Sequence, residues 1–427
     1  MSHQPVPESL RRGIDEYVAA NFDFTFKPEK PAVRLHECTY GAEEISAALE
    51  CLLSTYVTMG AKTRYFEAEC NRHFGFEHGI MVNSGSSANL LAVAALVNPA
   101  LSRRLRPGDE VIVPALSWST TVWPLIQCGL IPVVIDVDPD TLNLDLNEVR
   151  KAIGPKTRGI MPVHVYGNPC DMDVLMEIAP QHDLIVIEDC CEALGTLYRG
   201  KSVGSFGEVG TFSFYYSHHI TTLEGGICHT NSFELAELMR ILRAHGWVRE
   251  TEGREKYEAQ YPHIDPRFLF VNVGFNLRPT ELQSAFGPIQ LKKLEKFIAV
   301  RAGNAAFWRK AMTPFEKYFR FQTETPHGRH SWFGFPMVVR ENAPFTATEL
   351  RLFLKEHHIE NRPLICGNIA DQPAFKLFPH RISGDLRESK LIMTNGFTFG
   401  NHQAVDDAAR NYVLDVVTKF LKSKKLV

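Results

Sequence analysis

The sequence predicts an α/β protein, a mostly parallel sheet with helices on its faces, followed by a smaller α+β domain at the C-terminus. Three observations lead there. From about residue 44 to 230, short β-branched runs alternate with amphipathic segments, the rhythm of buried parallel strands joined by helical crossovers. After Arg278-Pro279 that rhythm gives way to a long Lys-rich helical stretch, then to mixed strand and helix signals. The chain has 427 residues, and domains run to about 100–200 residues each. The expected division is an N-terminal segment (1–40), a large domain (41–290), and a connecting helix with a small C-terminal domain (291–427).

Taken in order, Gly79-Ile-Met-Val82 is a short apolar run leading into a polar turn and a helical pattern, Leu90–Val97. The strands that follow are Val111–Val113, Pro132–Ile135, Gly159–Val163 and Leu184–Ile187, each succeeded by a turn and a helical pattern. Residues 248–268 are charged and aperiodic and read as a long surface loop. A connecting helix is expected from Leu282 to about Phe319, a strand over Trp332–Val339, and helices over Thr346–His358 and Asp406–Lys422.

Lys plus Arg total 46 and Asp plus Glu 49, a net charge of −3, which argues against a nucleic-acid or anionic-membrane binder. No apolar run approaches the roughly 18–20 residues of a membrane span, and MSHQPVPESLRRG lacks the apolar core of a signal peptide. A cytoplasmic location is the expectation. The nine cysteines (38, 51, 70, 128, 170, 190, 191, 228 and 366) form neither C-x-C nor C-x-x-C, which argues against disulfide scaffolds and structural zinc.

Three segments carry chemistry. Asn83-Ser-Gly-Ser-Ser-Ala-Asn89 opens a helix, where free backbone N–H groups suit a phosphate; the same residues also serve as an ordinary helix cap. Asp189 ends an apolar strand, Val186-Ile-Glu-Asp, placed either to hold a ring nitrogen protonated or to cap a helix. Gly210-Thr-Phe-Ser-Phe-Tyr-Tyr-Ser-His218-His219, followed by Glu224-Gly-Gly226, brings aromatics, hydroxyls and two imidazoles between two strand-like runs. An imidazole there can act as a general base or simply pack. Arg249, in His245-Gly-Trp-Val-Arg, offers a planar fork for a carboxylate or phosphate, or for a surface ion pair.

In this serial order the segments resemble the DegT/StrS-type pyridoxal-phosphate sugar aminotransferases, over nearly the whole chain from Glu43 to Asn401-His402-Gln403. The resemblance implies the aspartate-aminotransferase (type I) fold with a seven-stranded type of large-domain sheet. It implies phosphate contacts from Ser86, Ser87 and Ser213, stacking by Trp118, a pyridine-nitrogen partner in Asp189, and a cofactor contact from Glu192, where a Gln is common. Asn276 matches a residue that reaches the phosphate from the neighbouring subunit, so a homodimer with shared active sites is implied.

One departure is decisive. His218 stands where the family's aminotransferases carry the Lys that binds the cofactor covalently, so pyridoxal or pyridoxamine phosphate would be held non-covalently, with His218 as base. His219 would orient its neighbour or pack, and is also a candidate to touch substrate. The pattern Phe-Tyr-x-x-His-His-Ile-Thr resembles the His-for-Lys subgroup, sugar 3-dehydratases of deoxysugar and O-antigen (lipopolysaccharide) biosynthesis. Ala244-His-Gly-Trp-Val-Arg249, Ser331-Trp-Phe-Gly-Phe and Gly400-Asn-His-Gln resemble its members acting on GDP-4-keto-6-deoxy-D-mannose in the colitose pathway, with glutamate as amino donor and ammonia released. The alternatives are the same chemistry on a CDP- or TDP-linked or heptose substrate, or a non-catalytic regulator that binds cofactor or sugar nucleotide. Only Cys228 and Cys366 follow His218, too few thiolates for the iron–sulfur cluster of the reductase-dependent branch, so neither a metal nor an iron–sulfur reductase is expected.

Overall fold

The computed structural model describes residues 6–427. Its larger sheet holds β1 (His78–Val82), β2 (Glu110–Pro114), β3 (Ile131–Ile135), β4 (Thr157–Ile160), β5 (Ile185–Asp189), β6 (Val209–Ser213) and β7 (Gly226–Thr230). The middles of β1, β2, β3 and β5 are apolar without alternation because both faces of the sheet are covered; β6 and β7 are buried throughout although they carry Thr211, Ser213 and His229, and β4 exposes only Arg158. The order is β1-β7-β6-β5-β4-β2-β3. All are mutually parallel except β7, which runs against β1 and β6. The sheet has an eighth member that no periodicity announced: the two-residue strand Arg381–Ile382 lies parallel to β3. Arg381 fastens it by a fork to both carboxylate oxygens of Glu110, at 2.9 and 2.7 Å.

A second sheet, antiparallel throughout, orders β8 (Phe319–Phe321), β9 (Phe335–Val339), β11 (Gly396–Phe399) and β10 (Asn361–Pro363). Its core gathers Trp308, Phe335, Met337, Phe397 and Phe399 with helices Ala347–Glu356 and Asp407–Ser423. Helix Glu281–Ala311 bridges the two cores: Leu291, Leu294, Phe297 and Ile298 pack under the first sheet, Ala305 and Trp308 under the second.

Four local expectations need correction. The bridging helix stops at Ala311, not Phe319; Pro314 has no N–H with which to continue the helical ladder, and a short 3₁₀ turn, Thr313–Phe315, follows. The strand expected from Trp332 begins at Phe335, since Trp332 has φ +51°, outside extended backbone. The strand expected over 159–163 ends at Ile160, two residues before Pro162, which has no N–H for the ladder. Residues 248–268 hold helix Arg254–Gln260, with an Arg254–Glu258 ion pair one turn apart, and a 3₁₀ turn, Pro266–Phe268, capped by Asp265. Among the described residues, no helix is long and apolar enough to cross a membrane.

Candidate active site

The carboxyl ends of β1, β5 and β6, the loop after β2, and the segment leading into β7 meet around a cavity of about 320 Å³. Ligands of open α/β sheets bind at this edge. Each wall has a local reason. Past β1, Ser84 sits in extended backbone and caps helix Gly85–Leu96, accepting from Ser87 N at 3.1 Å. First-turn N–H groups have no partner inside a helix, and Gly85 and Ser86 bring that turn to the cavity wall. The glycine is required: a Cβ on Gly85 would lie 2.5 Å from Ser213 Cβ and 2.8 Å from its Oγ, so only glycine lets the end of β6 close on the turn. Gly226 is tighter, its hypothetical Cβ falling 2.5 Å from Ser84 O and 2.7 Å from Gly85 N.

Asp189, last residue of β5 and 4% exposed, presents its carboxylate to the cavity. Oδ2 accepts from Thr121 Oγ1 at 2.7 Å and Asn89 Nδ2 at 2.9 Å; Oδ1 accepts from Cys191 N at 3.1 Å. All three donors are neutral, and among the described residues no Lys, Arg or His forms an ion pair with it. One residue back, buried Glu188 accepts from Gly204, Phe206 and Gly207 N at 2.7–2.8 Å and lies 3.2 Å from His164 Nε2. His164 Nδ1 accepts from Cys170 N, which leaves the proton on Nε2 to donate to Glu188. His164, Glu188 and Cys190 stand close enough to share a metal, yet these hydrogen bonds already engage the carboxylate and the ring, bracing the strand that aims Asp189.

His218 lies between β6 and β7, with its backbone N–H on Tyr215 O at 2.9 Å and its ring packed on Phe333, centroids 5.0 Å apart. Burial, then the guanidiniums of Arg362 and Arg301, push the imidazole down to about 3, so at neutral pH it is an uncharged base. Among the described residues its Nδ1 has no partner. His219 is fully buried, does not line the cavity and hydrogen-bonds Ser331 O through Nε2 at 3.1 Å. Glu192 accepts from Tyr166 N at 2.9 Å, and burial raises its carboxyl to about 7. Trp118 stands at the mouth, 55% exposed.

Of the residues singled out from sequence, Ser86, Trp118, Asp189, Glu192, Ser213 and His218 line this one cavity. Ser87 turns its hydroxyl to Ser84 Oγ instead. Arg249 and Asn276 are exposed and lie outside it. Sequence reading missed Asn89, Thr121, Phe333 and Arg362, which the fold brings in from separate segments. Thr121 stands three residues after Trp118, and nothing local to that segment marks it as a partner of Asp189.

The donor set suits pyridoxal phosphate. The helix N-terminus with Ser86 and Ser213 suits the phosphate, the exposed indole suits the ring face, and a buried carboxylate without a cationic partner suits a protonated pyridine nitrogen.

A model of the DegT/DnrJ/EryC1/StrS aminotransferase family matches residues 39–418. GDP-4-keto-6-deoxy-D-mannose 3-dehydratase of Yersinia pseudotuberculosis is 40% identical over 86% of this chain and 94% of its own. dTDP-4-dehydro-2,6-dideoxy-D-glucose 3-dehydratase of Saccharopolyspora spinosa is 36% identical over 97% of this chain and 93% of its own. Among solved structures, the E. coli GDP-4-keto-6-deoxy-D-mannose-3-dehydratase with bound hydrated PLP superposes with a TM-score of 0.85 at 36% identity, covering 90% of this chain and 98% of that one. A GDP-4-keto-6-deoxymannose-3-dehydratase with a trapped PLP-glutamate geminal diamine gives 0.82 at 35% identity, covering 90% and 99%.

Proposed function

The chain belongs to the DegT/DnrJ/EryC1/StrS aminotransferase family, and from that premise we propose that it is a pyridoxal-phosphate-dependent 3-dehydratase of GDP-4-keto-6-deoxy-D-mannose, with glutamate as amino donor. The observation that carries this is His218, an uncharged imidazole that lines one cavity with Ser86, Trp118, Asp189 and Ser213, where the resemblance implies the family's cofactor-binding Lys.

The bound cofactor, in its aminated form, supplies an electron sink that couples loss of a C–H proton to departure of the sugar's C3 hydroxyl. The chain's own residues do the rest. The Gly85-Ser86 turn and Ser213 would hold the phosphate, Asp189 would accept the pyridine N–H, and Trp118 would cover one ring face. Asn89, Thr121 and Cys191 N fix the direction of the Asp189 carboxylate. Imidazole takes a proton without itself capturing the cofactor, which a primary amine at this position would do. Glutamate loses ammonia and gains the oxygen that the sugar loses at C3, so its two electrons close the balance and no iron–sulfur reductase is needed.

A second copy of the chain completes the site in this reading. Asn276 is exposed outside its own cavity, and Phe268, Phe270 and Val273, just before it, are 61%, 50% and 89% exposed. Apolar side chains beside a phosphate-binding residue fit a homodimer interface that seats Asn276 against the partner's cofactor. Deoxysugar synthesis for lipopolysaccharide, in the cytoplasm, is the setting in which we place it.

The similarity to a dTDP-sugar dehydratase over nearly the whole chain favours one rival, a TDP-linked substrate. The test is product analysis by mass after mixing protein, pyridoxal phosphate and glutamate with GDP-, CDP- and TDP-4-keto-6-deoxy sugars. The proposal expects a 3-deoxy product from the GDP sugar; turnover of the TDP sugar alone overturns the assignment of the nucleotide.

A further inference from the structure

Loss of a sugar hydroxyl needs an acid as well as a base, because hydroxide leaves carbon poorly and water leaves it readily. Three residues of the cavity wall carry a carboxyl group: Asp189, Glu192 and Glu224. Glu224 is exposed at the rim. Asp189 is engaged by three hydrogen bonds and is given to the pyridine nitrogen. Glu192 has no task yet. It stands on the turn after β5, closed by Ala193 N on Cys190 O at 2.9 Å, and only its Oε2 is used, by Tyr166 N at 2.9 Å. Among the described residues its Oε1 has no hydrogen-bond partner and no cation forms an ion pair with it.

One scaffold holds Glu192 and His218. Tyr166 donates its N–H to Glu192, its carbonyl accepts from Phe333 N at 2.8 Å, and the Phe333 ring packs on His218. Tyr166 is 1% exposed and sits at φ +56°, a strained setting for a bulky residue. Gly167, next along, passes so near that a Cβ on it would lie 3.1 Å from Glu192 O. The titratable and charged groups facing the Glu192 carboxyl are Tyr166, Asp189, Cys191 and Arg362. Burial, helped by Asp189, outweighs Tyr166 N and Arg362 and raises the carboxyl to about 7. The same cavity lowers the proton affinity of His218. Two groups pushed apart in this way within one site divide into acid and base.

We propose that Glu192 is the general acid of the elimination, its Oε1 delivering a proton to the departing C3 oxygen while His218 removes one from carbon. The assignment rests on the dehydratase reading above, since that reading supplies the leaving hydroxyl. The C3–O bond breaks with both electrons on oxygen, which takes the Glu192 proton and leaves as water. The two electrons released at the C–H bond replace them, so neither oxidant nor reductant enters. Glu192 ends as a carboxylate and His218 as an imidazolium, and one proton returned between them through water resets the pair.

The experiment compares GDP-4-keto-6-deoxy-D-mannose with its 3-fluoro analogue, whose fluoride departs with far less need of a proton, in wild-type holoenzyme and in Glu192→Gln. In the variant, kcat for the hydroxyl sugar should fall about 10²–10⁴-fold, and kcat for the fluoro sugar by a far smaller factor. In the wild type, kcat for the hydroxyl sugar should decline as pH rises past about 7, where Glu192 gives up its proton, and the fluoro sugar should not share that decline. Infrared spectra of cofactor-free protein supply a readout apart from turnover: a protonated-carboxyl band that fades between about pH 6 and pH 8 in the wild type and is missing from the variant. Equal losses on the two sugars overturn the acid alone, because a Glu192 that only braces Tyr166 or the cofactor slows both; a carboxyl already fully ionised at about pH 6 overturns it too. A wild type that eliminates from neither sugar refutes the dehydratase reading, and the acid with it.

Discussion

Glu192→Gln tests whether burial sets the charge of the cavity wall. The Glu192 carboxyl is raised from 4.5 to about 7, chiefly by burial, with Asp189 adding to the rise and Tyr166 N and Arg362 opposing it. Between those two values the folded chain holds a proton that the unfolded chain has released, so stability is full below pH 4.5 and falls as pH rises through the window. The deficit reaches about 3 kcal/mol above pH 7, of which roughly 1 kcal/mol is lost between pH 6 and pH 8. Gln is isosteric and does not titrate. In cofactor-free protein, the stability of the variant relative to wild type should therefore improve by roughly 1 kcal/mol from pH 6 to pH 8. Urea denaturation followed by tryptophan fluorescence at pH 6, 7 and 8 measures this, and the comparison cancels the other titrating groups. A gap that stays constant across that range would refute the reasoning, because it would mean that Glu192 is ionised throughout.

Two further outcomes follow from packing and charge. Gly226→Ala drives a Cβ into the Ser84-Gly85 backbone, and overpacking of this kind costs ~1–3 kcal/mol; the turn must shift, and cofactor affinity by fluorescence titration should fall roughly 10–100-fold while thermal unfolding of the cofactor-free protein changes little more than that cost. Glu67→Gln breaks the Arg243–Glu67 pair, which at 2.6 Å has Arg243 almost wholly buried and also binding Met81 O. Stranding that charge should cost about 3–5 kcal/mol of stability, visible as a lower midpoint in urea, and an unchanged midpoint would show that the pair contributes nothing net.

What the sequence revealed follows from the range of each interaction. β1 to β5 were legible because each contains or adjoins a short apolar run covered on both sides, β6 and β7 only as strand-like runs on either side of the imidazoles, and helix Asp407–Ser423 because its cap, Asp406, and its period are local. Ser86, Trp118, Asp189, Ser213 and His218 were legible through the resemblance to the DegT/StrS-type family, and the fold brings them together because each ends or follows a strand at one edge of the sheet. Strand Arg381–Ile382 was not, since its pairing with β3 is a tertiary event held by Glu110. Thr121 and Asn89 become ligands of Asp189 only once two helices pack beside β5. Arg301 looked like one more cation on a Lys-rich helix, and only the fold shows that it is buried against the Phe333 and Asn401 carbonyls.

The central claim is that His218 makes this site a dehydratase. It is tested most directly by measuring ammonia and sugar product together when holoenzyme meets glutamate and GDP-4-keto-6-deoxy-D-mannose, with wild type and His218→Asn side by side. The account predicts one ammonia for each 3-deoxy-4-ketosugar formed by the wild type, and a variant that keeps its cofactor and forms neither. Nitrogen retained on the sugar, or undiminished dehydration by His218→Asn, would contradict it.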